Sequence, residues 1–197
     1  PYLMGGDGFV LYTRPGATDV QALNGSGRAP QAASAAALRA NGHDVVPPYS
    51  PHAVTIPGAI DAFCDLSETE GKLGLDALLS PAIHYAEAGI PIAPRVALDL
   101  AADTETLQGS AIHRYSKAGK PFETPDLFRS TEQADVFRRS PRLRRVAFYT
   151  GAVGDNVLAS FRARGCVHPA AVFTEAKCTR AQPISGPHRD FEVLEPP

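Results

Sequence analysis

The sequence has 197 residues with a formal net charge of −2, and it is 44% hydrophobic and 20% charged. This composition is typical of a globular protein and excludes an intrinsically disordered chain. The balanced charge gives no indication of a nucleic-acid partner, and no apolar stretch approaches the roughly 20 residues that span a bilayer.

A strand hairpin is predicted over residues 7–24. The apolar run at 9–13 lies between glycines and an Arg-Pro-Gly turn, and the alternating residues 19–23 suit its partner strand. A glycine-rich loop follows at 24–30. Pro30 suits the first turn of a helix over 32–40, and Asn41 and Gly42 suit its end.

Residues 30–165 are predicted to be mainly helical. Apolar side chains recur there at helical spacing, with glycine or proline near the ends of most runs. The predicted helices occupy residues 32–40, 60–71, 75–86, 96–107, 130–140 and 153–165. Ser130 and Gln133 have the spacing of a capping box, and Pro141 marks the predicted end of that helix.

Two stretches between these helices are predicted to be irregular. Residues 43–58 are rich in proline and form an extended connector. Residues 109–129 are polar and interrupted by Pro121 and Pro125, so we expect a surface loop.

Terminal strands are predicted over residues 180–195. Strands at the two ends with helices between them indicate an α+β fold, with helices packed on one face of a sheet. Too few strands are visible to complete such a sheet, and a strand at each end needs neighbours. We therefore expect a fragment or one chain of a complex. The sequence does not indicate the cellular compartment of the protein.

Local motifs provide no catalytic, metal or cofactor site. The glycine-rich residues 5–8 precede a strand, whereas a phosphate-binding loop follows one, so a close backbone approach is expected. The six histidines lack zinc-ligand spacing, and no Gly-x-Ser-x-Gly motif occurs. Cys64, Cys166 and Cys178 are odd in number and form no Cys-x-x-Cys pair, so we expect free, largely buried thiols.

Arg28 is the candidate binding residue of the glycine-rich loop. With Gly25 and Gly27 before it and Pro30 after it, the loop can hold the guanidinium away from the helix. A carboxylate could then bind through two parallel hydrogen bonds. The alternative is a solvated arginine or a structural pair with an aspartate, and the local pattern alone favours that alternative.

Six segments resemble, in the same order, sequence features of the γ-glutamyltranspeptidases. They include Gly-Gly-Asp-Gly-Phe before the first strand, Gly-Arg-Ala-Pro, Phe-Tyr-Thr-Gly, and Pro-Ile-Ser-Gly with a later Pro-Pro. The six occupy residues 5–9, 27–30, 54–60, 71–89, 147–151 and 183–197. Each is weak alone, and their order over nearly the whole chain carries the resemblance.

The resemblance implies a four-layer αββα sandwich of the N-terminal-nucleophile hydrolases. In that family a precursor cleaves itself, and the new N-terminal threonine of the small subunit attacks an amide, with its own amino group as base. Residues 1–197 would then be the N-terminal part of the large subunit and would hold no catalytic residue. The implied partners are the small-subunit portion and a small amide or γ-glutamyl substrate.

The resemblance also points to Ser26 and Arg28 as substrate-binding residues. In the transpeptidases an arginine of this loop holds the α-carboxylate of the glutamyl group. Aligning Ala29 and Pro30 with the family places Ser26 at that arginine's position, and Arg28 stands two residues later. Either Arg28 does the same work, or the acyl group is different, as in the acylase and oxamate-amidohydrolase branches.

Two functions therefore remain open from the sequence. The first is an amide-bond hydrolase or γ-glutamyl transferase whose nucleophile lies outside this chain. The second is a non-catalytic binding or scaffold module that keeps the same fold.

Overall fold

The structure, a computed structural model, describes residues 4–30 and 32–197, without the side chains of residues 140–145 and 147. Helices make up 45% and strands 16%, which confirms the predicted mixture of helix and strand. The chain forms two compact units, one of Pro1–Leu75 with Arg142–Pro197 and one of Asp76–Pro141.

Seven strands lie in the described residues, five of them in the first unit. In chain order they are β1 Gly8–Tyr12, β2 Gln21–Gly25, β3 Ile90–Pro91, β4 Leu127–Phe128, β5 Thr179–Ala181, β6 Ile184–His188 and β7 Phe191–Glu195.

Eight α-helices lie in the same part of the chain. In chain order they are α1 Ala35–Ala40, α2 Ala59–Thr69, α3 Leu75–Ala88, α4 Pro94–Asp103, α5 Ser110–Tyr115, α6 Thr131–Tyr149, α7 Gly151–Ala163 and α8 Ala170–Glu175.

The first unit is built on an antiparallel sheet of order β1-β2-β5, with Val10 opposite Leu23 and Leu23 opposite Arg180. The predicted hairpin at the start of the chain is thus present. The predicted terminal strands pair as the hairpin β6-β7. Helix α2 packs on β1 and β2. Its approach is close because Gly8 has no side chain: a Cβ there would lie 3.2 Å from Ala59 Cα.

A polar network, the α2 clamp, joins this helix to the sheet; its members are Tyr12, Arg14, Asp65, Glu70 and Arg180. The Glu70 carboxylate accepts hydrogen bonds from the Tyr12 hydroxyl at 3.0 Å and from Arg14 Nε at 2.9 Å. Arg180 Nη2 donates to Asp65 Oδ2 at 2.5 Å. The Arg14 guanidinium lowers the pKa of Glu70 to about 2.

The clamp predicts a pH-dependent effect of Glu70→Gln. Since the pKa of Glu70 in the folded protein lies below its ordinary 4.5, ionised Glu70 stabilises the fold above about pH 4.5. That contribution falls as the pH drops towards about 2. In urea unfolding, Glu70→Gln should therefore lower the free energy of unfolding at pH 7, and the difference should shrink towards pH 3.

The matched control for this prediction is Glu192→Gln, at an exposed glutamate of β7. It should change stability little at either pH. An equal loss of stability for Glu70→Gln at pH 7 and pH 3 would contradict the role of the carboxylate charge.

The core of the first unit is apolar and rich in aromatic rings. Edge-to-face contacts join Tyr149 to Phe148 and to Phe173, with ring centroids 5.1 and 5.5 Å apart. The buried Tyr149 hydroxyl donates to the Pro57 carbonyl at 2.6 Å. The core cluster is Ile56, Ile60, Phe148, Tyr149, Leu158 and Phe173.

The second unit holds a short antiparallel pair, β3 and β4, among its helices. The stripe predicted over residues 75–86 lies on α3, although none of that helix's residues is fully buried. An aromatic cluster surrounds β4: Phe128 stacks on Tyr115 at 6.0 Å and meets the edge of Phe122 at 5.8 Å.

The predicted loop at 109–129 was wrong in part, because α5 and β4 lie within it. Both are short, and their apolar residues are too few to give a periodic pattern. Arg114 of α5 is held by Glu132 at 2.8 Å, and Ser116 donates its hydroxyl proton to the Ile112 carbonyl. Contacts of this kind stabilise a short helix that the sequence pattern does not reveal.

The predicted end of a helix at Pro141 was also wrong, since α6 continues to Tyr149. A proline removes one backbone donor but does not always end a helix. The start of α1 also differs from the predicted residue 32. Ser34 caps this helix by accepting from the Ala37 N–H at 3.3 Å, so the helix begins at Ala35.

None of the three cysteines forms a disulfide bond; Cys64 and Cys166 are buried and Cys178 is partly buried, as expected. Burial, and then the neighbouring Asp61 carboxylate, raise the pKa of the Cys178 thiol to about 12. None of the helices in the described ranges combines the length and apolar character needed to cross a bilayer.

Candidate functional site

The glycine-rich loop after β2 lies against the segment that leads into α2. A Cβ on Gly27 would lie 1.6 Å from the Ile56 carbonyl oxygen, and one on Gly58 would lie 2.2 Å from the Gly25 carbonyl oxygen. Such backbone contact is possible only without side chains. The two glycines therefore fix the course of the loop.

Backbone hydrogen bonds hold the same loop in place. The Ile56 N–H donates to the Arg28 carbonyl at 3.2 Å, and the Gly27 N–H donates to Asp7 Oδ1 at 2.8 Å. The Gly58 N–H donates to the Gly6 carbonyl at 3.1 Å. The glycine-rich start of the chain thus makes the close backbone approach that the sequence predicted, and Asp7 adds a carboxylate acceptor.

The Arg28 side chain projects from this fixed loop and is exposed. Its guanidinium has no hydrogen bond or ion pair with any residue in the described ranges. Among the described residues, Arg28 therefore does not form the structural pair with an aspartate that the sequence left open. A fixed backbone beside a free guanidinium suits the binding of a carboxylate from outside the chain.

Arg28 lines a cavity of about 470 Å³ in the first unit. Its apolar wall is formed by Ile56, Val172 and Ala176. Ile56 is fully buried, and the other two pack on the core cluster. Glu175 supplies a carboxylate to the same cavity. Among the described residues the lining is Arg28, Ala29, Ile56, Val172, Glu175 and Ala176.

Several of the segments that resemble the transpeptidases meet around this cavity. The Tyr149 hydroxyl binds the Pro57 carbonyl, which joins the Phe-Tyr-Thr-Gly segment to the Pro-Gly segment before α2. The hydrogen bond from the Ile56 N–H to the Arg28 carbonyl then joins the Pro-Gly segment to the glycine-rich loop at 24–30, the Arg28 loop. Residues that are far apart in the sequence thus form one support for Arg28.

Ser26 occupies a different position from Arg28. It is partly buried, its N–H donates to Asn24 Oδ1 at 2.9 Å, and it is not among the residues that line the cavity. Sequence reasoning missed Glu175. No signal could have found it, because it lies on the six-residue helix α8, far from Arg28 in the sequence. No group of three or more possible metal ligands occurs in the described residues.

Comparisons with known proteins give the same family throughout. The family described as Gamma-glutamyltranspeptidase matches residues 3–197. The chain is 25% identical over 197 residues to the Glutathione hydrolase-like YwrD proenzyme of Bacillus subtilis (strain 168), covering 98% of this chain and 37% of that protein. It is 27% identical over 148 residues to the Acylase ACY 1 proenzyme of Pseudomonas sp. (strain V22), covering 74% and 26%.

Two solved structures have a similar fold. Cephalosporin acylase from Bacillus halodurans is 30% identical with a TM-score of 0.88, and the match covers 98% of this chain and 38% of that one. The γ-glutamyltranspeptidase of Helicobacter pylori has the same fold, with 23% identity, a TM-score of 0.87 and coverage of 98% and 57%. The chain spans less than two thirds of the length of each of these relatives.

These structures confirm the α+β fold of the N-terminal-nucleophile hydrolases that the resemblance implied. The family match extends over almost the whole chain. The chain belongs to the γ-glutamyltranspeptidase family.

Proposed function

We propose that residues 1–197 are the N-terminal part of the large subunit of an amide-bond hydrolase or γ-glutamyl transferase. In this proposal the nucleophilic threonine lies outside the chain, on a second polypeptide cut from the same precursor. The family supports the type of activity, and two relatives are described as proenzymes.

The observation that carries the proposal is the charge arrangement of the Arg28 cavity. Its lining brings the Arg28 guanidinium, which has no partner among the described residues, and the Glu175 carboxylate beside the apolar side chains of Ile56 and Val172. A γ-glutamyl group has a short apolar chain that ends in a carboxylate and an ammonium. Its charges and its methylenes are complementary to this lining.

The role that we assign to this chain is to bind and orient the acyl group. Arg28 holds the carboxylate, while the hydrogen bonds to Asp7 and Ile56 keep its loop in position. Orientation of this kind lowers the barrier because the scissile carbonyl is placed before reaction begins. Ser26 lies in the same loop but does not line the cavity, so its role as a substrate-binding residue stays a prediction.

The chemical step is assigned to the partner polypeptide. Its N-terminal threonine hydroxyl attacks the amide carbonyl, and its α-amino group takes the proton. The amine leaves with a proton, and the resulting ester is cleaved by water in hydrolysis or by an acceptor amine in transfer.

Three p-nitroanilides test the proposal on the purified full-length protein. The γ-glutamyl compound carries a carboxylate and an ammonium, the glutaryl compound carries only the carboxylate, and the butyryl compound carries neither. We expect release of p-nitroaniline from the first two, with the butyryl compound much slower. Absence of release from all three compounds would contradict the proposed activity.

The ratio of the first two substrates identifies the branch. If Glu175 binds an ammonium, γ-glutamyl-p-nitroanilide is preferred in the natural protein and loses that preference in Glu175→Gln. If the protein acts as an acylase for a dicarboxylic acyl group, the glutaryl compound is preferred in both proteins.

A further inference from the structure

A second cavity, of about 610 Å³, lies in the unit Asp76–Pro141 and has no role in the function proposed above. Its size falls within the range of small-molecule sites. Its lining comes from α5, from residues 122–129 in and around β4, and from the start of α6. The lining residues are Ser110, His113, Arg114, Phe122, Leu127, Arg129 and Glu132.

Arg129 is fixed by the C-terminal end of α3. Its Nε donates to the Ala88 carbonyl at 3.0 Å, and its aliphatic stem lies over Gly89. A Cβ on Gly89 would lie 2.8 Å from Arg129 Cγ. Neither terminal nitrogen of the guanidinium has a partner among the side chains and backbone atoms that the structure describes. One nitrogen therefore anchors the side chain and two remain available.

Arg114 is oriented in a similar way. Its Nη1 donates to Ser130 Oγ at 2.9 Å and to Glu132 Oε2 at 2.8 Å. The backbone N–H of Glu132, and then Arg114, hold the pKa of the Glu132 carboxyl below its usual range. This carboxylate therefore stays ionised and keeps the Arg114 guanidinium in place. Two arginines and one glutamate leave an excess of positive charge along the cavity.

The rest of the lining is partly apolar. Leu127 is 51% exposed, and the ring of Phe122 meets Phe128 edge-on at 5.8 Å. The surface is therefore amphipathic: an exposed leucine and a packed aromatic ring lie beside two oriented guanidinium groups. Its complement is an oxyanion on an apolar body.

We propose that this cavity binds a small organic anion. The carboxylate or phosphate group of this ligand pairs with Arg114 and Arg129, and its apolar body lies on Phe122 and Leu127. The shared chemistry is the oxyanion beside a flat apolar group, and the test separates carboxylate from phosphate.

The test is a ligand-observed NMR titration of the full-length protein with four probes: benzoate, phenyl phosphate, benzamide and inorganic phosphate. We expect saturable binding of benzoate or phenyl phosphate, and weaker binding of neutral benzamide and of phosphate, which lacks the ring. Arg129→Gln should lower the affinity for the anion about tenfold, as expected for loss of a charge-assisted hydrogen bond.

Leu127→Glu is the second variant, because it places a negative charge at the cavity and leaves the Arg129 anchor untouched. It should weaken anion binding by at least about tenfold. Arg95→Gln is the matched control, since Arg95 pairs with Asp99 on the exposed face of α4 and does not line the cavity. Affinity should not change in this control.

Three results would overturn the proposal. The first is no saturable binding of either aromatic anion. The second is benzamide binding as tightly as benzoate. The third is unchanged affinity in both Arg129→Gln and Leu127→Glu, which would leave Arg129 with the structural role of binding the end of α3.

Discussion

Replacing Arg28 with alanine is expected to raise KM for γ-glutamyl- and glutaryl-p-nitroanilide by roughly 30-fold or more, with little effect on the butyryl compound. The guanidinium has no partner among the described residues, so its pairing capacity is available to a substrate carboxylate. Loss of such a pair, once bound substrate shields it from water, costs about 2–5 kcal/mol.

The substrate series separates binding from folding. A variant that merely misfolds loses activity on all three compounds, whereas loss of the carboxylate contact affects only the two that carry a carboxylate. Arg28→Lys should recover part of the loss, because it restores the charge but not the two parallel hydrogen bonds. Arg39→Ala, at an exposed arginine of α1, is the control. An unchanged KM in Arg28→Ala would exclude the proposed role.

Gly27→Ala is expected to destabilise the protein by about 1–3 kcal/mol and to displace Arg28. The added methyl would lie 1.6 Å from the Ile56 carbonyl oxygen, and that residue is fully buried. Since the obstacle is backbone rather than a flexible side chain, the loop must move. The Ile56–Arg28 hydrogen bond would be lost with that movement.

Thermal unfolding and the p-nitroanilide assay together check this prediction. Gly5→Ala is the matched control, because a Cβ there meets nothing within 4 Å. It should leave the melting temperature and KM unchanged. If the Gly27→Ala protein has the same melting temperature and KM as the unsubstituted protein, the close approach of Gly27 to Ile56 does not position Arg28.

Much of the fold could be predicted because local patterns and packing agree. Helices α2 and α7 have apolar residues at helical spacing, and they contain buried residues in the structure. The first hairpin has turn residues between two short apolar runs, and its strands pair as expected. Where local pattern and burial point to the same element, sequence reasoning succeeds.

The features that were missed depend on contacts between distant residues. Strand β5 lies at the start of the predicted terminal strands, but its pairing with β2 depends on the chain returning to the sheet and was not predicted. The Arg28 loop could be identified from its glycines, but its free guanidinium and its neighbour Glu175 could not. A cavity is formed by the packing of several elements, and no local spacing encodes it.

The most direct test of the account is intact-mass measurement with N-terminal sequencing of the native protein, purified without truncation. We predict two polypeptides cut from one precursor, the larger containing residues 1–197 and the smaller beginning with threonine. Replacement of that threonine by alanine should leave one uncut chain. A single natural chain that is never cut, or a second chain with another first residue, would contradict the assignment of the nucleophile and favour a binding module.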